Sequence, residues 1–289
     1  WATYIGGDLN DVPHSLIVND DNELYMYGNT ASANYPTTSN AYDQTHNGDN
    51  DICITVLSSN GANLIGSTYI GGSNDEAGGN LNYINFDDNY RGEIFLGDDD
   101  NVYVSGYTQS TDFPVSASAY QTTNAGSQDG VVLKMNSTLS SLVWATYLGG
   151  SEDDAAYGMR IDDNENVIVT GPTSSLDFPV SVDAFQTTYG GGSEDGFVTT
   201  LSSNGTNLIN STYYGTTVQD ASFLVDLDNS GNVCIYGQTK GNTPITAGTY
   251  SNIDGEIFIT KFASDLESII TSTRLFEGNA FGYTDSNPL

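Results

Sequence analysis

Any chemistry in this chain has to come from carboxylates. Its 289 residues carry 37 Asp and Glu against 6 Lys and Arg, a formal net charge of −31. One use for acids is to hold a hard cation such as calcium, which wants several oxygens from a short loop. Four runs have that composition: DDDN with Asp98 and Asp100, DDNEN with Asp162 and Asp163, DLDNSGN with Asp226 and Asp228, and GGSEDD from Gly149. DLDNSGN partly matches the opening of a calcium loop, although Gly237 stands where the distal Glu is needed. The same runs suit hairpin turns, in which Asp and Asn side chains bond the backbone two residues on.

A second use lies in Asp51, Asp129, Asp195 and Glu256, each six residues before the apolar end of a strand-like run. These acids either ring a central channel, where they would bind cations, or each bonds a turn in its own repeat. Glycoside hydrolysis would require two of them to converge in one pocket. His14 and His46 are the only histidines and are not spaced as a metal pair, and neither GxSxG, HExxH nor a sialidase-type Asp box occurs. On these grounds the chain is expected not to be an enzyme.

The charge also rules out partners. Nucleic acid needs clustered Lys and Arg to neutralise phosphates, and an anionic membrane surface would repel this chain. No run approaches the ~18 apolar residues of a membrane helix. With 37% apolar and 11% aromatic residues a buried core is available. Cys53 and Cys234 sit among alternating apolar residues and read as small buried hydrophobes rather than as a disulfide or metal pair.

The elements that position these acids come in repeats. WATYIGG at Trp1–Gly7 returns as STYIGG from Ser67, WATYLGG from Trp144, STYYG from Ser211 and, degenerately, STRLF from Ser272. NELYMYG, NVYVSG, NVIVTG and NVCIYG end at Gly28, Gly106, Gly171 and Gly237. A third block reads NYPTTSNAYDQT from Asn34, DFPVSASAYQTT from Asp112, DFPVSVDAFQTT from Asp177 and NTPITAGTY from Asn242. The steps from Tyr4 to Tyr69, Tyr147, Tyr213 and Arg274 are 65, 78, 66 and 61 residues. The long step holds an insertion of 13 near Gly78–Tyr90. Each repeat reads as four short strands with Asn-Gly hairpins and no helical period, which is the cue for the blades of an all-β propeller. The repeats divide the chain at about 1–66, 67–143, 144–210 and 211–271, with 272–289 opening another. The recurring Tyr4, Tyr69, Tyr147 and Tyr213 are expected to pack between blades.

These linked blocks resemble the SBBP repeat, a seven-bladed β-propeller repeat of exported bacterial proteins. The resemblance spans nearly the whole chain and is cleanest from Trp144 to Gly215. It implies a secreted or cell-surface protein, often multidomain, of which this chain with its four repeats is a piece.

The expected function is therefore a binding or structural module, for adhesion or assembly, at the cell surface. Its partner would be a protein or a glycan, or other domains of the same polypeptide, with calcium as a candidate cofactor. The one repeat-specific feature is the insertion, whose Asn80, Asn82, Tyr83, Asn85 and Tyr90 suit glycan or partner contact through aromatic faces and amides. The alternatives are a carbohydrate-active hydrolase using channel carboxylates and a passenger of an export system.

Overall fold

The computed structural model describes residues 1–76, 92–98 and 100–277. Strands β1 (Asp11–Val18), β2 (Leu24–Thr30), β3 (Asp51–Leu57) and β4 (Leu64–Ile70) pair in that order as an antiparallel sheet, blade 1. Blade 2 is β5 (Glu93–Leu96), β6 (Val102–Thr108), β7 (Asp129–Met135) and β8 (Leu142–Leu148). Blade 3 is β9 (Gly158–Ile161), β10 (Val167–Thr173), β11 (Asp195–Leu201) and β12 (Leu208–Tyr214). Blade 4 is β13 (Asp220–Leu227), β14 (Val233–Thr239), β15 (Gly255–Phe262) and β16 (Ile269–Glu277). The first strands β1, β5, β9 and β13 touch one another in sequence, so they line the inner side of the array. Among the described residues there is no helix.

The two-residue alternation of the strands explains how the blades stack. In β3, Ile52, Ile54 and Val56 face blade 2 and join Val104, Val131 and Leu133 in one core cluster. Cys53 faces the other way, beside Tyr35 and Tyr69. Equivalent clusters join blade 2 to blade 3 around Met159, Val169 and Phe197, and blade 3 to blade 4 around Ile235, Phe258 and Phe262. A blade is thus apolar on both faces and stable only between neighbours.

Hydrogen bonding corrects the phase of the repeat. The boundaries read at residues 67, 144 and 211 fall inside the fourth strands β4, β8 and β12. Residues 272–277, read as opening a further repeat, belong to the closing strand of blade 4. A cyclic pattern has no intrinsic origin, so only the strand pairing decides where a blade begins.

Two glycine types do defined work. Gly61 and Gly205, with φ of 66° and 67°, take the left-handed position of the Asn-Gly hairpins. Gly171 lies where an added β-carbon would overlap the carbonyl oxygen of Ala155, which has no room to withdraw inside the blade. Gly171→Ala is expected to cost roughly 1–3 kcal/mol by overpacking, read as a lower denaturant midpoint at unchanged slope.

Candidate functional site

The acids expected at the strand starts hold the loops that precede them. Asp51 accepts the Asn47 N–H at 2.7 Å, Asp129 the Ala125 N–H at 2.9 Å, and Asp195 the Gly190 N–H at 2.5 Å. They open the third strand of each blade rather than the inner strands. Asp51 Oδ1, Asp195 Oδ1 and Glu256 Oε2 are buried without a hydrogen-bond partner.

A second acidic series was not singled out in the sequence. Asp11, Glu76, Asp154 and Asp220 each lie seven residues after Tyr4, Tyr69, Tyr147 and Tyr213, a spacing that would have revealed them. Each takes a backbone N–H from the segment after its tyrosine: Gly7 to Asp11 at 2.8 Å, Gly72 to Glu76 at 3.1 Å, Gly150 to Asp154 at 2.6 Å and Thr216 to Asp220 at 2.5 Å. Thr30 and Thr108 donate to the other oxygen of Asp11 and Glu76 at 2.5 and 2.6 Å.

Stacking brings the two series together across each blade junction. A β-carbon on Gly71 would overlap both Asp51 Oδ1 and Glu76 Oε2. One on Gly149 would lie 2.7 Å from Asp129 Oδ1 and 2.8 Å from Asp154 Oδ2. Gly215 borders Asp195, which feels the charge of Asp220. All six carboxyls of these pairs are fully buried. Burial disfavours the charged form, and it pushes Glu76 up to about 8, Asp154 and Asp195 to about 7 and Asp129 to about 6. Asp51 and Asp220 are raised for the same reason.

Two open clefts sit over these pairs. At the junction of blades 1 and 2 a cleft of about 560 Å³ is lined by Tyr42, Asp43, Asn47, Gly71, Gly72, Ser73, Asp112 and Pro114. At the junction of blades 3 and 4 an equivalent cleft of about 610 Å³ is lined among others by Phe185, Gln186, Gly215, Lys240 and Asn242. The decisive difference is at one position. Gln121 and Gln186 bridge their junctions, each accepting the N–H of Gly149 or Gly215 at 3.0 Å and donating to Asp129 at 2.7 Å or Asp195 at 3.5 Å. Blade 1 has Asp43 there. Asp43 cannot donate and instead accepts from Thr45 Oγ1 at 2.6 Å and Asn47 Nδ2 at 2.7 Å, so Asp51 receives no side-chain amide like the one that Gln121 and Gln186 supply. Burial raises Asp43, but the bonds from Thr45 and Asn47 outweigh it and hold the carboxyl below the usual range. The Ser73 N–H, at 2.8 Å, likewise holds Asp112 low. The first junction therefore combines carboxyls raised by burial with two held low, Asp43 and Asp112, where the second has one, Asp177, held low by the Ser151 N–H at 2.8 Å.

The other expected sites fall apart in space. Asp162 caps its own turn through Asn164 N and Asn166 N, both at 2.8 Å, while Asp163 and Asp98 are exposed and Asp100 sits in a left-handed turn. Asp226 meets Arg160 at 3.4 Å. Asp228 is held far below the usual range by Asn232 and by Lys261 at 2.9 Å. No three potential ligands gather to hold a metal among the described residues. Asn80, Asn82, Tyr83, Asn85 and Tyr90 lie outside the described residues. Tyr69, Tyr147 and Tyr213 are buried and donate to the carbonyls of Ser32, Ser110 and Ser175 at 2.7–2.9 Å, but Tyr4 is fully exposed, against expectation. Its segment, residues 1–7, is paired with no strand, so nothing covers the ring.

No family model and no curated protein matches this chain, so the SBBP resemblance stands without support of that kind. Solved structures do match. A Dyadobacter fermentans protein of unknown function is similar at a TM-score of 0.50 and 12% identity, over 95% of this chain and 72% of its own. The NanB sialidase from Streptococcus pneumoniae is similar at a TM-score of 0.50 and 8% identity, over 98% of this chain but only 55% of its own. The expectation that the chain is not an enzyme is overturned by that likeness, since a glycosidase is built on this architecture. Missing linear motifs were a poor guide, because paired carboxyls here come from different repeats. At these identities the likeness is one of fold, and the chain is an all-β propeller of at least four blades.

Proposed function

We propose that this chain is a carbohydrate-active hydrolase, exported from the cell, whose glycan lies in the cleft between blades 1 and 2. The observation that carries the reading is Asp43, which gives this junction two carboxyls held low, Asp43 and Asp112, beside a pair raised by burial, where the second junction has Asp177 in the place of Asp112 and the neutral Gln121 in the place of Asp43. Glycoside hydrolysis needs such a pair: an acid that protonates the leaving oxygen and an ionised carboxylate that attacks or activates water. Glu76, raised to about 8 by burial, holds a proton at neutral pH. Asp43 and Asp112, held low, are the ionised candidates on the cleft wall. Gly71 and Gly72 line the cleft, and Glu76, 0% exposed, lies behind them with its Oε2 accepting the Gly72 N–H at 3.1 Å, so the wall over the acid carries no side chain. Tyr42 offers an aromatic wall for a sugar ring.

The test is release of reducing ends or aryl leaving groups from a panel of glycosides and polysaccharides. Asp43→Asn and Glu76→Gln are each expected to lower turnover by about 100-fold or more, while Asp129→Asn at the second junction leaves it unchanged. No release from any glycoside, or full activity in Asp43→Asn, would sink the reading.

A further inference from the structure

The pattern Asn-x-Ser/Thr, which marks the acceptor of an N-linked glycan, occurs three times in the sequence, at Asn136, Asn204 and Asn210. The fold presents the three differently. Asn136 engages its Nδ2 twice, donating to Thr138 Oγ1 at 2.8 Å and to Ser140 Oγ at 2.9 Å. Asn210 is half-buried inside β12, held in register opposite Thr200. Asn204 is exposed at the hairpin between β11 and β12. Its Oδ1 takes the bonds that shape the turn, from Ser202 Oγ at 2.8 Å, Thr206 Oγ1 at 2.8 Å and the Thr206 N–H at 3.2 Å. Both N–H groups of Nδ2 are left without a partner among the described residues. The matching hairpin of blade 1 separates what the turn needs from what it does not. There Asn60 Oδ1 takes Ser58 Oγ at 2.8 Å and the Ala62 N–H at 3.0 Å, with alanine at the third position. The turn therefore requires the asparagine but not the hydroxyl of Thr206, which completes the acceptor pattern in blade 3 alone of these two hairpins.

Resting on the export that the hydrolase reading includes, we propose that Asn204 is the acceptor of an N-linked oligosaccharide, transferred from a lipid-linked oligosaccharide phosphate. Nδ2 attacks the anomeric carbon of the donor sugar. A C–N bond forms, the C–O bond to the lipid phosphate breaks, and one amide proton passes to the departing phosphate. Oδ1 keeps its three bonds throughout, so the turn survives the modification. A bulky, solvated group also suits an exposed hairpin better than the ladder that holds Asn210.

Glycopeptide mass spectrometry of the protein purified from its own cells tests this. The peptide that holds Asn204 is expected to carry the oligosaccharide mass on most copies, with Asn136 and Asn210 bare. Asn204→Asp, which keeps the Oδ1 acceptor and removes the amide nitrogen, should abolish the added mass and leave the chain folded. Thr206→Ser should retain the glycan and Thr206→Ala should lose it. A bare Asn204 overturns the proposal wherever the protein is recovered. So does equal occupancy of Asn136 and Asn210, which would mean that the pattern is read before the chain folds and that the presentation of Nδ2 decides nothing. Release of reducing ends is scored separately, so the two readings fail apart: a glycan on Asn204 without hydrolysis sinks only the hydrolase, and hydrolysis with a bare Asn204 sinks only this inference.

Discussion

Raising the pH from about 5 to about 9 lowers the melting temperature of this chain by roughly 10 °C, a loss of several kcal/mol spread over a domain of this size. The cause is the carboxyl pairs buried at the three blade junctions. Glu76, Asp154, Asp195 and Asp129 have folded values of about 8, 7, 7 and 6, above the 4.5 or 3.8 of the free side chains. A carboxyl whose folded value is raised binds more protons in the native state than in the unfolded one. Its stabilising contribution is therefore complete below about pH 4 and is lost as the pH climbs through the folded value. Asp43 and Asp112, held low, act in the opposite sense and lose their contribution only as the pH falls below the ordinary carboxylate range. Stability should peak between these limits, near pH 4 to 5. Thermal scans across that range check it, repeated at high ionic strength to screen the repulsion among surface acids but not the buried pairs. Glu76→Gln, which removes the group with the highest of these values, should flatten the alkaline end of the curve. A flat profile in the unsubstituted chain would mean that the pairs are not held as protonated acids.

Trp144→Ala should cost about 3–5 kcal/mol and Trp1→Ala well under 1 kcal/mol, although the two occupy matching places in WATYLGG and WATYIGG. Trp144 is 4% exposed, donates from Nε1 to the Ser203 carbonyl at 2.9 Å and lies on Gly205, so that it joins the outer strand of blade 2 to the last hairpin of blade 3. Its ring also meets Tyr103 edge-on at 6.3 Å. Trp1 makes the same bond to Ser59 at 2.8 Å and lies on Gly61, but it is 64% exposed. The indole contact is equal in the two; the burial behind it is not. Chemical unfolding of both variants separates them, and equal losses would show that the hairpin contact rather than burial carries the energy.

How much of this was legible beforehand follows from the kind of information each feature needs. Strand alternation, Asn-Gly hairpins and the recurrence of NVxVxG and DFP are local, so the four-stranded blade and the propeller class could be read from spacing alone. The loop-holding role of Asp51, Asp129 and Asp195 was one of two readings open at that stage, since a turn bond and a channel ring use the same residues. Even the second acidic series was present in the text, as a constant step of seven from each tyrosine. Asp43 too was visible, in NAYDQT against SAYQTT and DAFQTT. Its weight was not, because only the packed junction shows the amide of Gln121 bridging Gly149 and Asp129, and hence what blade 1 lacks.

The sequence by itself determined the unit: its strands, its turns, its number of copies and the acids it carries. Tertiary structure alone decided the phase of the blades and the meeting of Asp51 with Glu76, Asp129 with Asp154 and Asp195 with Asp220. The physical reason is that each pair joins the third strand of one blade to the approach of the next. Spacing along a chain records what lies within a repeat, whereas the desolvation that raises these carboxyls arises only when one blade closes over another.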